Sequence, residues 1–349
     1  MNQETLTEKK LKDSVQLFFK DMAPILIDSV SKKYIKLESC KSKINFERSI
    51  LFLKNPSGIP ITSSVHRLVV HLLKRIPKSF FVDYVAHKGK SSPQTANYFK
   101  IQSIVGSEKL TQDKLKKIEE KKIAILGVGS LGCHIVQHLI CLGHKNLTLI
   151  DYDIVEQNNL NRQILYSFKD IGKKKILAAK DTINLYNKNI TVNTVFLKVK
   201  SVSQLSNIIK KYSIEFLFLT ADEPAGIICS ICAQSCKDNL IPWTRINRIG
   251  HGPIWELNES CANCHYLSSK EKVKNYYKPL NNVINKSQGV FNYDISFKVS
   301  ILIRDYINYV LNFRLLRNKY CYCNLSSNSI NSLIRYTNVK NNKKCPCKN

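Results

Sequence analysis

Two kinds of hydrophobic spacing alternate through the middle of the chain. Lys122-Ile-Ala-Ile-Leu126 is a short unbroken apolar run, the pattern of a strand covered on both faces of a parallel sheet. It runs into Gly127-Val-Gly129-Ser130-Leu131-Gly132, and Cys133–Leu142 continues with apolar positions at helical spacing. Leu147-Thr-Leu-Ile150 is a second apolar run and ends at Asp151. Further strands are expected at Thr191–Leu197 and Glu215–Thr220, with helices at Lys173–Tyr186 and Val202–Tyr212 between the runs. Strand, glycine turn, helix and strand in alternation predict an α/β fold built on a doubly wound, Rossmann-like sheet.

The flanks are less regular. Leu11–Asp21 and Val65–Arg75 have helical spacing and define a small N-terminal accessory domain, residues 1–90. Lys88-Gly-Lys90-Ser-Ser-Pro93 reads as a linker, and residues 91–349 form the second domain. A helix is expected after the linker, and the charged segment Lys114–Lys122 leads into the first strand of the sheet. No internal repeat is evident.

Composition narrows the classes. With 349 residues, 44% hydrophobic and 23% charged, the chain is long enough for a large core and is neither disordered nor fibrous. The 54 Lys and Arg outweigh 26 Asp and Glu, giving a formal charge of +28. That surplus would attract an acidic partner, but in a chain rich in Lys, Asn and Ile it reads mainly as a solvated surface. No zinc-finger or helix-turn-helix pattern accompanies it, so no specific nucleic-acid partner is expected. No stretch approaches the roughly 18 apolar residues that span a bilayer, and Met1–Lys10 lacks a signal-peptide core. The expected location is cytoplasmic, away from membranes. There the 12 cysteines are better read as core residues or metal ligands than as disulfides.

The glycine loop lets backbone N–H groups approach a phosphate at a helix N-terminus, and Asp151, 24 residues after Gly127, sits where a carboxylate can hold ribose hydroxyls. The segment downstream of Asp151 separates the nucleotides. Asp151-Tyr-Asp153 leads to Asn159-Leu-Asn161-Arg162-Gln163 and then to Asp170-Ile-Gly-Lys173-Lys174-Lys175. A dehydrogenase has no need of this basic, amide-rich segment, whereas a triphosphate has the charge to use it. Lys173 and Lys174 themselves read as surface lysines. Asp222, after the last apolar run and before Pro224, taken alone reads as a helix cap.

With Gly127-x-Gly129-x-x-Gly132, Asp151-x-Asp153, Asn159-Leu-Asn161-Arg162-Gln163, Asp170-Ile-Gly-Lys173-x-Lys175 and Thr220-Ala-Asp222, the chain resembles the ThiF/MoeB/HesA adenylating family. The resemblance covers about residues 95–265 and the C-terminal tip. It implies that ATP is bound by Gly127, Gly129, Ser130, Leu131, Gly132, Asp151 and Asp153. Asn159, Asn161, Arg162, Gln163 and Lys175 would handle the phosphates, and Asp222 would hold Mg²⁺ and orient the α-phosphate. Asp222, Arg162 and Lys175 would be the catalytic set. A homodimer is also implied.

Cys261-Ala-Asn-Cys264 is a two-ligand hook, and Cys345-Pro-Cys347 near the C-terminus can complete a Cys₄ zinc site. The family carries paired cysteines at similar places, usually as two Cys-x-x-Cys hooks; here the second is one residue shorter. Cys321-Tyr-Cys323 competes for the same role. Cys229, Cys232 and Cys236 have helical spacing and are expected on a buried face, with Cys133 and Cys141 also in the core.

Within the family, Ala221-Asp222-Glu-Pro224 and Gln112-Asp-Lys-Leu-Lys116 most resemble the peptide-maturing branch of the microcin C type. That implies ATP-dependent adenylation of a ribosomal peptide's C-terminal carboxylate, with release of pyrophosphate and residues 1–90 as a peptide clamp. His265 to Tyr320 contains no cysteine, so a thioester step on that segment is not expected. A ubiquitin-like sulfur carrier is the second substrate class. Two departures support a third reading, a peptide-binding subunit without chemistry. Pro93 and Ala96 fall where relatives carry arginines, and Glu223 falls where many carry Asn. Lys90 and Lys100 are nearby cations, but an ammonium does not reproduce a guanidinium fork. Trp243, Arg245 and Arg248 lie where a substrate tail would pass, and a strand with ordinary surface arginines explains them equally well.

Overall fold

The computed structural model describes residues 108–224, 226–276, 291–312, 318–323 and 334–348, and shorter pieces of the first 101 residues. The chain divides into two compact units, Met1–Lys116 and Lys117–Asn349.

In the first unit, β1 (Lys9–Leu11) pairs antiparallel with β5 (Phe81–Asp83). Strands β2 (Val15–Lys20), β3 (Ala23–Asp28) and β4 (Lys33–Lys36) form an antiparallel sheet. The helix expected at Leu11–Asp21 is therefore a strand. Val15-Gln-Leu-Phe-Phe is rich in β-branched and aromatic residues, and the apolar run just downstream supplies a partner, with Leu17 opposite the buried Leu26. Tertiary pairing outweighs a helical period that an 11-residue window cannot distinguish from alternation. The second expected helix is helical at its described positions, Val69, His71, Leu72 and Arg75. The linker Lys88–Pro93 lies outside the described residues. Ala96 and Lys100 are helical and exposed.

Helix α1 (Glu108–Glu120), which carries Gln112–Lys116, leads to the second unit. There β6 (Lys122–Leu126), α2 (Ser130–Cys141), β7 (Asn146–Asp151), α3 (Lys175–Tyr186), β8 (Thr191–Phe196), α4 (Val202–Lys211) and β9 (Phe216–Leu219) keep the expected alternation. Helix α5 (Ile228–Asp238), β10 (Trp243–Asn247), β11 (Gly250–His251), α6 (Ala262–Tyr276), α7 (Asn292–Val310), β12 (Lys319–Cys323) and β13 (Ile334–Asn338) complete it. The sheet order is β13-β12-β11-β10-β9-β6-β7-β8; from β10 to β8 the pairs are parallel, and from β10 to β13 antiparallel.

Alternation along the strands sorts side chains to two cores. Ile123, Ile125, Phe216 and Phe218 pack with α2 and α7, while Ala124, Leu126, Leu217 and Leu219 pack with α4 and α5. Phe216 and Phe218 meet the Tyr306 ring at 4.9 and 5.1 Å. Cys229, Cys232 and Cys236 are buried in the second core, as their spacing requires, and Cys133 in the first. Burial pushes the Cys133 and Cys229 thiols up to about 12, which keeps them protonated and inert. Cys141 departs from expectation and is exposed. It lies in the last turn of α2, about 80° around the helix from Cys133. No helix among the described residues is long and apolar enough to cross a membrane.

Candidate functional site

The sheet reverses direction of growth at β6: β7 and β8 lie on one side, β9 and β10 on the other. Crevices at such switch points, beyond the C-terminal strand ends, are where doubly wound sheets take ligands. Here the loops after β6, β7 and β9 converge on a cleft of about 240 Å³. Gly127, Gly129, Asp151, Asp153, Lys175 and Asp222 all line it.

The glycine loop is held by close approaches. Gly127 has φ +100°, and a Cβ there would meet Ala221 N at 2.7 Å. A Cβ on Gly132 would fall 2.1 Å from Gly127 O, so the first turn of α2 sits tightly against the loop. Gly129 is different: nothing stands within 4 Å of its missing Cβ, and its open side faces the cleft. Ser130 and Leu131 occupy the first turn of α2 and are half-buried.

Asp151 is buried at the end of β7, and its carboxylate accepts hydrogen bonds from Val128 N at 2.5 Å and Asp153 N at 2.9 Å. It therefore braces the glycine loop as well as facing the cleft. Asp153 in turn accepts from Lys175 Nζ at 2.8 Å. Lys175 is buried in the first turn of α3, so it presents a desolvated cation to the cleft. Lys173, by contrast, is exposed and pairs with Asp170 at 3.0 Å, in keeping with a surface role.

Asp222 comes just after β9. Helix α5 begins only at Ile228, with Ile227 as its N-cap, so capping does not account for Asp222. Its side chain is 80% exposed and its Oδ1 lies 3.8 Å from Arg245 Nη2. Although solvent reaches it, the surrounding cleft wall raises its carboxyl pKa, opposed by Arg245 and Arg248. Arg245, on β10, is packed beside the Tyr266 ring, and Arg248 is exposed.

The block Asn159–Gln163 does not line the cleft. Asn159 is buried and its Oδ1 accepts from Glu156 N at 3.2 Å. Arg162 Nη1 donates to Asn158 O and Asn161 Oδ1 at 2.6 and 2.8 Å. Asn161 is exposed, and Gln163 Oε1 is buried without a hydrogen-bond partner among the described residues. Sequence reasoning missed the cleft mouth. There Glu223 accepts from Tyr152 Oη at 2.9 Å and from Lys198 Nζ, whose ammonium lies 4.6 Å from the Tyr152 ring centroid. Tyr152 and Lys198 stand just past the ends of β7 and β8, so strand-end position was the available signal.

The cysteines sort into two groups. Cys261, Cys264, Cys345 and Cys347 are buried, with ligand atoms within 4.8 Å of one another. Sulfur separations of 3.4, 3.5 and 3.9 Å bracket the roughly 3.8 Å edge of a tetrahedral zinc–thiolate site. Asn263 Nδ2 donates to Cys345 Sγ at 3.2 Å, a further support for thiolate there. Cys321 and Cys323 lie elsewhere, beside His251, so they do not compete for this set.

The family model described as ThiF family matches residues 102–347. The chain belongs to the ThiF family. This ThiF-family chain is 36% identical over 83 residues to molybdopterin-synthase adenylyltransferase of Escherichia coli K12, covering 24% of this chain and 33% of that protein. It is 33% identical over 105 residues to SUMO-activating enzyme subunit 2 of Dictyostelium discoideum, covering 30% of this chain and 16% of that one. The chain thus spans a third or less of these curated relatives. Solved structures of E. coli MccB are similar over nearly the full length. MccB with AMPCPP and MccA has a TM-score of 0.68 at 19% identity, covering 97% of this chain and 98% of that chain. MccB with ATP gives a TM-score of 0.68 at 19% identity, over 98% and 100%. At that identity the likeness is one of fold.

Proposed function

We propose that the chain is an ATP-dependent adenylyltransferase that activates the C-terminal carboxylate of a ribosomally made peptide. The observation that carries this reading is the convergence of the open Gly129 face, the buried Lys175 and the carboxylate of Asp222 in one cleft at the sheet's switch point. Glycine backbone and a buried cation suit phosphates, and a carboxylate beside them suits a divalent ion.

In this reading Asp151 holds the ribose side of ATP, Asp153 tethers Lys175 at the cleft, and Lys175 and Arg162 neutralise phosphate charge. Arg162 reaches that role only by leaving its present carbonyl and amide partners, which a triphosphate displaces because its hydrogen bonds are charge-assisted. Asn159, Asn161 and Gln163 hold the loop that carries Arg162. Asp222 holds Mg²⁺, which supplies charge neutralisation at the phosphates when bound. The peptide carboxylate attacks the α-phosphorus, the bond to the β-phosphate oxygen breaks, and pyrophosphate leaves. Arg245, 3.8 Å from Asp222, lies where an incoming carboxylate is guided.

Residues 1–90 serve as the peptide clamp, supported by a likeness to the structure of MccB with MccA that extends over 97% of the chain. Cys261, Cys264, Cys345 and Cys347 hold a structural Zn²⁺ that ties the C-terminal tail to α6. Two chains work as a homodimer.

A Gly-Gly-ending carrier protein is the second substrate class, supported by the 36% identity to molybdopterin-synthase adenylyltransferase. Incubation with ATP and either a short peptide encoded beside the gene or such a carrier, with mass spectrometry of the products, separates the two. An adenylylated product on the peptide alone supports the proposal; product on the carrier alone overturns the peptide assignment.

A further inference from the structure

We propose that His251, Cys321 and Cys323 form a second Zn²⁺ site, separate from the Cys₄ cluster. All three are buried, and their ligand atoms lie within 4.8 Å of one another. Strand register brings them together. Residues two apart on a strand share a face, so Cys321 and Cys323 project to the same side of β12. His251 on β11 is the cross-strand partner of Cys321. The two sulfurs are 3.5 Å apart, close to the roughly 3.8 Å edge of a tetrahedral zinc–thiolate site.

The neighbouring Tyr320 and Tyr322 pack into the core that contains Cys261, Cys264, Cys345 and Cys347. Alternation therefore sends Cys321 and Cys323 to the opposite face of the sheet, toward α7. The two clusters cannot share an ion.

An independent observation comes from the histidine. His251 is 2% exposed, and its Nε2 faces Asp305 Oδ2 at 2.9 Å. Nε2 donates that hydrogen bond, which in the neutral ring leaves the lone pair on Nδ1. Nδ1 is buried, and the group it meets is the Cys323 sulfur. A thiol is a weak donor, so a buried nitrogen lone pair beside two cysteine sulfurs is poorly satisfied unless something stronger accepts it. A cation does so, and a carboxylate behind a ligating imidazole is the usual arrangement that fixes its tautomer.

Asp305 is itself anchored. Its Oδ2 also accepts from Tyr336 Oη at 2.6 Å, and its Oδ1 accepts from Arg304 Nε and Nη2 at 3.1 and 2.8 Å. With two thiolates, a neutral imidazole and Zn²⁺ the first sphere has no net charge, and Arg304 balances Asp305. Soft thiolates with one imidazole favour zinc over magnesium or calcium. Three protein ligands leave the fourth tetrahedral position to a small non-protein ligand. The ion would clamp β11 to β12 and, through Asp305, both strands to α7.

The test is metal stoichiometry on the full chain, purified with reductant and measured by inductively coupled plasma mass spectrometry. Wild type is expected to carry two zinc ions per chain, Cys321→Ser/Cys323→Ser one, and Cys345→Ser/Cys347→Ser one. Asp305→Asn keeps both ligand sets and is expected to weaken the second site by about 10- to 100-fold in competition with a chelator. Cobalt titration of metal-free wild type gives a readout that needs no variant. Thiolate-to-cobalt absorption should rise through two equivalents. One zinc in wild type, unchanged by Cys321→Ser/Cys323→Ser, would overturn the proposal. So would a cobalt signal that saturates at one equivalent and is left unchanged by Cys321→Ser/Cys323→Ser, or a Cys321–Cys323 disulfide in the native protein.

Discussion

Lys175 Nζ donates to Asp153 Oδ2 at 2.8 Å, with the lysine side chain 7% exposed and the carboxylate 45% exposed. A buried ammonium tethered by a half-exposed acid is held ready for a second, stronger anion. Removing Asp153 leaves that ammonium without its carboxylate, which costs about 1–3 kcal/mol because solvent screens the half-exposed acid. Asp153→Ala is therefore expected to melt below wild type and to recover more of the loss with ATP than wild type gains. Differential scanning fluorimetry with and without ATP checks this. An equal ATP-induced shift in both proteins contradicts the assignment of Lys175 to phosphate.

The two glycines of the loop separate folding from binding. Gly132→Ala puts a methyl 2.1 Å from Gly127 O and is expected to destabilise the protein by about 1–3 kcal/mol, because backbone must move. Gly129→Ala meets nothing within 4 Å and should keep wild-type stability while its methyl occupies the space of the nucleotide. Chemical denaturation and calorimetric ATP titration of both variants give the comparison. Wild-type ATP affinity in Gly129→Ala contradicts a phosphate at this loop.

Local patterning carries some of this architecture and not the rest. The buried strands Lys122–Leu126 and Phe216–Leu219 announce themselves because both faces are covered and the apolar run is continuous. The cleft is legible where its parts sit at strand ends, as with Asp151 and Asp222. It is not legible where contacts cross the sheet: nothing local ties Glu223 to Lys198, or Arg245 to Asp222. The strand Val15–Lys20 escapes a local reading for the same reason, since its identity depends on a partner strand. Cys141 shows the limit of reading cysteine as core: residue type does not say which way a helix's last turn faces. His251 becomes visible as a partner of Cys321 only through strand register.

His144 is buried, and burial, with Lys121 adding like charge, pushes its imidazole down to about 3. The unfolded chain binds a proton near pH 6.5, while the folded protein does not until near 3. Acidification through that window therefore favours unfolding, by about 2 kcal/mol between about pH 7 and 5 for this one group. His144→Gln should lose stability less steeply over the same interval. Urea titrations at the two pH values measure the difference, and parallel slopes in both proteins contradict it.

The most direct measurement is exchange of labelled pyrophosphate into ATP. Wild type with the peptide is expected to incorporate label, and none is expected without the peptide. Asp222→Ala should lose exchange by at least about 100-fold, the scale on which single electrostatic stabilisers act, while still binding ATP. No exchange by wild type that binds both ligands would contradict adenylation and leave a peptide-binding subunit, as Ala96 suggests. Undiminished exchange in Asp222→Ala would contradict the role given to that carboxylate.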